Sequence, residues 1–113
     1  MNDWIQEAPI GVTVCDGEGH VTGMNLKAGQ IFGKNGGLGL IGTNLLECHP
    51  EPSKTKLKNM LSDPPAAPNA YTIEKNGVKK LIYQFAFRKE GRPAGLVELS
   101  LELPAVMPNF VRK

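Results

Sequence analysis

The sequence predicts an α+β fold in which a five-stranded antiparallel sheet carries short helices packed on one face. Three observations lead there. Short β-branched runs form a hairpin near the N-terminus; a much longer period-two pattern runs from Ala70 to Leu103; and between them lies a connection, Gly39 to Leu61, whose apolar spacing is helical. A helical connection flanked by hairpins leaves the helices one sheet face to cover, and the space between the two layers is a natural ligand pocket.

Taken in order, Asp3 is placed to cap a short helix through about Ala8, with Trp4, Ile5 and Ala8 as its apolar side, before Pro9 and Gly11 end it. Residues 1–8 therefore read as a helical segment that forms a lid or a dimer contact. Gly11 to Cys15 and Val21 to Asn25 are strands joined by the turn residues Asp16 to His20. Leu26, Gln30, Ile31 and Phe32 then fall at roughly helical spacing, although Gly29 weakens that helix by about 1 kcal/mol relative to Ala.

The glycine-rich stretch contains a literal G-x-G-x-x-G in Gly37, Gly39 and Gly42. A dinucleotide-binding fingerprint needs a strand before the glycines and a helix opening directly behind them, so that amides and helix dipole meet a pyrophosphate. Here a helix precedes them and no βαβ alternation follows, which leaves a loop that needs positive φ angles.

Pro52 can occupy the first turn of the next helix, whose buried stripe is Leu57, Met60 and Leu61, while Lys54, Lys56 and Lys58 form a solvated face. Asp63, Pro64, Pro65 and Pro68 stop it. Asn76-Gly77 is a strong hairpin signal, and a two-residue turn there pairs Lys75 with Val78, Glu74 with Lys79 and Tyr71 with Ile82. Along the longer strand Leu81, Tyr83, Phe85 and Phe87 share one face, and Ile82, Gln84 and Ala86 the other. In the last strand Val97, Leu99, Leu101 and Leu103 alternate with Glu98, Ser100 and Glu102, an apolar and a polar face. Residues 104–113 form a tail without helical period.

At 113 residues the chain supports one core, burying about two-thirds of its unfolded surface, and that domain spans residues 9–103. Thirteen basic against eleven acidic residues give a net charge of +2, scattered without aromatic platforms, so direct nucleic-acid binding is not expected. No apolar run reaches the roughly 20 residues that span a bilayer, and the N-terminus has no signal-peptide pattern; no membrane partner and a cytoplasmic location are the expectation. Cys15 and Cys48 are too few for paired metal motifs and read as reduced thiols. No Ser, His and Asp grouping recurs at catalytic spacing and the only histidines are His20 and His49, so the chain is not expected to be an enzyme.

Two strands, a helical connection and three strands together resemble the PAS domain family over about Ile5 to Leu103. The carriers are GVTVCDGEGHVTGMN, which is similar to the PAS opening hairpin with its Asp-x-x-Gly turn and closing Asn25, then LIGTNLLECHPEP, and the closing hairpin RPAGLVEL. Among PAS domains the chain resembles most those of uncharacterised bacterial proteins that also carry a hemerythrin-like domain. The resemblance implies sheet order 2-1-5-4-3 and a sensory role in signal transduction or transcriptional regulation, with a small largely apolar ligand, a signalling partner protein and a homodimer as expected partners. The alternative is a ligand-free module for dimerisation and protein contacts; a further alternative is a haem or redox sensor using His49 or Cys48.

The resemblance also tests cofactors residue by residue. Where oxygen-sensing haem PAS domains place their iron-ligating His, this chain has Leu57; where light-oxygen-voltage domains have their flavin-reactive Cys, it has Leu45; where photoactive yellow protein attaches its chromophore, it has Pro52. The cofactor thus stays unknown, and no metal ligand set emerges. By the same resemblance Thr13, Cys15, Thr22 and Met24 look inward, opposite Phe32, Ile41, Leu57 and Leu61, with hydrogen bonds to a ligand from Thr13, Thr22 or Asn44. Such a lining is mostly apolar with a few polar points.

Overall fold

The computed structural model describes all residues, 1–113. A short helix α1 (Asp3–Gln6) precedes β1 (Gly11–Asp16) and β2 (Val21–Met24); then come α2 (Leu26–Ile31), two 3-10 turns (Gly33–Asn35 and Gly37–Leu40), α3 (Leu45–Cys48) and α4 (Ser53–Ser62), and finally β3 (Asn69–Lys75), β4 (Val78–Lys89) and β5 (Arg92–Glu102). All five strands join one antiparallel sheet in the order β2-β1-β5-β4-β3. That is the order implied by the resemblance.

The hairpin register follows the turn chemistry. Asn76 and Gly77 both take positive φ, as a two-residue turn of this kind demands, and they set Lys75 opposite Val78, Glu74 opposite Lys79 and Tyr71 opposite Ile82. The glycine-rich stretch is more ordered than an open loop. Gly36, Gly37 and Gly42 have positive φ, and the two 3-10 turns lie on either side of Gly36. The segment behind it zips onto the free side of β2: Val21 N–H donates to the Thr43 carbonyl at 2.9 Å, Gly42 N–H to the Val21 carbonyl at 2.7 Å, and Leu45 N–H to the Gly19 carbonyl at 2.9 Å. One sheet edge is thereby covered.

Two local expectations shift. The N-cap of α1 is Asn2, with Asp3 inside the first turn, and Pro52 is the N-cap of α4 rather than a first-turn residue. Its missing side-chain cap is replaced by Glu51, whose carboxylate accepts from Thr55 N–H and Oγ1, both at 2.8 Å. On β5 Gly95 lies so close to the Cys15 carbonyl and the Phe87 ring that no Cβ fits there.

Asn25 ties these pieces together. It is 0% exposed. Its Oδ1 accepts from Val12 N–H at 2.9 Å and, as the N-cap of α2, from Ala28 N–H at 3.0 Å, while its Nδ2 donates to the Ile5 and Ile10 carbonyls at 2.8 Å each. Truncating it orphans two amides and two carbonyls at once, and each buried orphan costs about 1–3 kcal/mol. Asn25→Ala should therefore lower the unfolding free energy by at least about 3 kcal/mol in urea titrations, whereas a loss under about 1 kcal/mol would show that the N-terminal segment and α2 are held by other means.

Candidate functional site

The inner sheet face and the helices line a partly open cavity of about 620 Å³. Its apolar walls come from both layers: Met24 and Leu96 from the sheet, and Phe32, Leu40, Leu45, Leu57 and Met60 from the helical connection. Two small buried clusters border it, one of Cys15, Leu61 and Leu96, the other of Val21, Met24 and Ala28.

Of the nine residues expected to face a ligand, Thr13, Cys15, Met24, Phe32 and Leu57 line this cavity. The other four do not, each for a physical reason. Thr22 is the extra residue of a bulge, because β2 pairs Gly23 with Val14 but Val21 with Cys15. The bulge inverts the expected alternation, so that Val21 lines the cavity while Thr22 is exposed and its hydroxyl turns to the Val14 carbonyl at 3.4 Å. Ile41 sits on the outside of the chain, 45% exposed. Asn44 spends its side chain on backbone: Oδ1 accepts from Leu46 N–H at 2.9 Å as the cap of α3, and Nδ2 donates to the Glu18 carbonyl at 3.4 Å. Leu61 is buried in the Cys15 and Leu96 cluster behind the wall.

The larger departure is the floor. Beside Leu96 the polar residues of β5 point inward, and the apolar Leu99 and Leu101 alternate onto the opposite sheet surface beside Leu81 and Tyr83, while Val97, paired with Phe85, also reaches the cavity lining. Gln84 and Glu98 pair across β4 and β5 and both line the cavity. A directed chain of hydrogen bonds runs through them: Asn69 Nδ2 donates to Gln84 Oε1 at 2.8 Å, and Gln84 Nε2 donates to Glu98 Oε1 at 2.7 Å. Glu98 is partly exposed to the cavity, and no protein group donates to its other oxygen, Oε2. Tyr71 shares this face; burial, and after it the Glu98 charge, push its phenol pKa above the ordinary value. Sequence reasoning missed Gln84 and Glu98 because alternation alone does not tell which face the helices cover.

Cys48 and His49 also line the cavity, at its helical side. His49 Nδ1 lies 2.6 Å from the Leu45 carbonyl. A carbonyl only accepts, so Nδ1 carries the proton and, in the neutral ring, Nε2 keeps a free lone pair. Both cysteines are free thiols, Cys48 exposed and Cys15 buried, and burial raises the Cys15 pKa, which keeps it protonated at neutral pH. No three His, Cys, Asp or Glu side chains come together in a group that could hold a metal ion. No helix is long and apolar enough to cross a membrane.

No protein-family model matches the sequence, and no curated protein matches it as a relative. Solved structures do resemble the fold. A C-terminal domain from Streptococcus mutans superposes with a TM-score of 0.70 at 17% identity, covering 87% of this chain and 78% of its own. The Aer2 receptor of Vibrio cholerae, a dual PAS-haem oxygen sensor, gives 0.61 at 15% identity, with 85% and 96% covered. The PAS domain of BvgS from Bordetella pertussis gives 0.60 at 15%, with 88% and 81% covered. The order β2-β1-β5-β4-β3, the helical connection between β2 and β3, and these superpositions agree: the chain has the fold of a PAS domain.

Proposed function

We propose that this domain is a sensor that binds a small, largely apolar ligand between its sheet and its helices, in signal transduction or transcriptional regulation. The observation that carries the reading is the cavity of about 620 Å³ with apolar walls and a polar floor. A domain selected only for stability fills such a space with side chains, because each void forfeits packing energy. Its volume is that of a small-molecule site, and its few polar groups are fixed by hydrogen bonds, which is how a pocket orients an apolar ligand. The sensors among the structural neighbours, Aer2 of Vibrio cholerae for one, support the same class.

Met24 is the position to test, being buried at the cavity wall and flexible in the wild type. Nile red, a neutral apolar dye, serves as the probe. The wild-type domain should bind it with enhanced fluorescence, and Met24→Trp should fill the space and weaken binding at least tenfold with an unchanged circular dichroism spectrum. Wild-type protein that leaves the dye in water would contradict the reading. So would a Met24→Trp protein destabilised by about 1–3 kcal/mol, the signature of overpacking a core that has no room.

A second reading, that the domain forms a homodimer, is favoured by the surface of the sheet facing away from the helices. Leu81, Tyr83, Phe85, Leu99 and Leu101 there are only half-buried, and Trp4 of α1 is 70% exposed. Apolar surface of that extent fits a second copy of the chain, with the segment of residues 1–8 in the contact. Light scattering should give a dimer mass at high concentration and a shift toward monomer when residues 1–8 are deleted; a monomer mass throughout would exclude it.

A further inference from the structure

The cavity floor bears on the chemistry of the ligand, and the inference rests on the ligand-site reading above. We infer that the ligand is an amphipathic amine, held by its protonated nitrogen against Glu98 with its apolar body between Met24, Phe32, Leu57 and Met60.

The hydrogen-bond chain on the cavity floor has a direction. Asn69 donates to Gln84 Oε1, so the Gln84 amide is oriented with its nitrogen toward Glu98, and that nitrogen is 2.7 Å from Glu98 Oε1. Every donor in the chain is thus aimed at the carboxylate, which is positioned from one side only. The second oxygen of Glu98 takes no hydrogen bond from the protein, and no Lys, Arg or His lies within ion-pair distance of either oxygen. The lining as a whole holds no Lys or Arg. A carboxylate fixed in a largely apolar cavity with one oxygen open is an acceptor that still wants a donor, and a cationic donor gains most from it because both charge and hydrogen bond are then satisfied.

Two further polar groups supply acceptors. His49, with its Nδ1 proton given to the Leu45 carbonyl, offers the cavity an acceptor in its neutral form, and Thr13 stands opposite Glu98 on β1 with a hydroxyl that can accept as well as donate. An anionic ligand would meet one carboxylate and no Lys or Arg here. A phosphate, a polycarboxylate or a fatty acid is disfavoured on those grounds, whereas a primary ammonium finds acceptors around it. The two flexible methionines, Met24 and Met60, adapt to the shape of the apolar part.

The test uses three probes that share one apolar body and differ in the head group: 4-phenylbutylamine, 4-phenylbutanol and 4-phenylbutyrate, titrated into the full chain at pH 7 by calorimetry. The amine should bind at least tenfold more tightly than the alcohol and the carboxylate more weakly than either. In Glu98→Gln, which keeps the size of the side chain and an acceptor for Gln84, the preference for the amine over the alcohol should fall at least tenfold while the alcohol still binds. Equal binding of amine and carboxylate to the wild type, or an amine preference that survives Glu98→Gln, would overturn the amine assignment and leave the ligand site standing. If none of the three probes binds, the ligand-site reading itself falls and the assignment with it.

Discussion

The four hydrogen bonds of Asn25 join the first hairpin, α2 and the N-terminal segment at one point. One side chain, with no exposure to solvent, caps α2, fixes β1 through the Val12 amide, and holds the carbonyls of Ile5 and Ile10 so that α1 lies beside the first hairpin. An amide side chain has two donors and an acceptor oxygen with two lone pairs, and all four are used here. A buried polar group so completely paired specifies one arrangement, because any slip of α2 or of the N-terminal segment leaves an orphan in the interior. The cavity depends on it indirectly: α2 and the turns behind it supply Phe32 and Leu40 to its wall, and they start from that cap.

Against this fixed frame some polar residues lie on the inner face beside the buried Cys15, Ile82 and Leu96, where burial alone favours apolar side chains. The sheet surface facing the helices carries Thr13, Gln84, Glu98 and Ser100, while the surface facing away carries Tyr83, Phe85 and Leu99. Polar groups over an internal cavity cost stability unless something donates to them, and apolar strands toward solvent cost stability unless something covers them. Both costs disappear together when the cavity holds a ligand and the outer surface holds a partner. Under the proposed function, occupancy of one layer and association through the other would act on the two faces of the same strands.

What the sequence disclosed follows from how local each signal is. Asn76-Gly77 set the register of β3 and β4 because a two-residue turn leaves no freedom. The stripe Leu57, Met60 and Leu61 was readable from helical spacing alone, and Lys54, Lys56 and Lys58 are exposed as that spacing required. The sheet order came through the resemblance of the opening hairpin and its closing Asn25, not through any pattern in the residues. Two features left no local mark. The bulge at Thr22 exchanges inside for outside with no Gly or Pro at that residue to announce it, and the alternation in β5 is equally regular whichever face is covered. The candidate site was therefore legible in its apolar half and hidden in its polar half.

The central claim is that Gln84 and Glu98 line the cavity for binding and not for folding. The unfolding free energy of the double variant Gln84→Leu, Glu98→Leu tests it directly. A network kept for function is commonly held at the expense of stability, and leucine at both positions adds apolar surface to the cavity and removes the half-buried amide and charge. The account predicts a urea midpoint equal to or above that of the wild type, with binding of 4-phenylbutylamine abolished. A fall of more than about 2 kcal/mol, the cost of breaking a hydrogen-bonded network on which the fold relies, would contradict it.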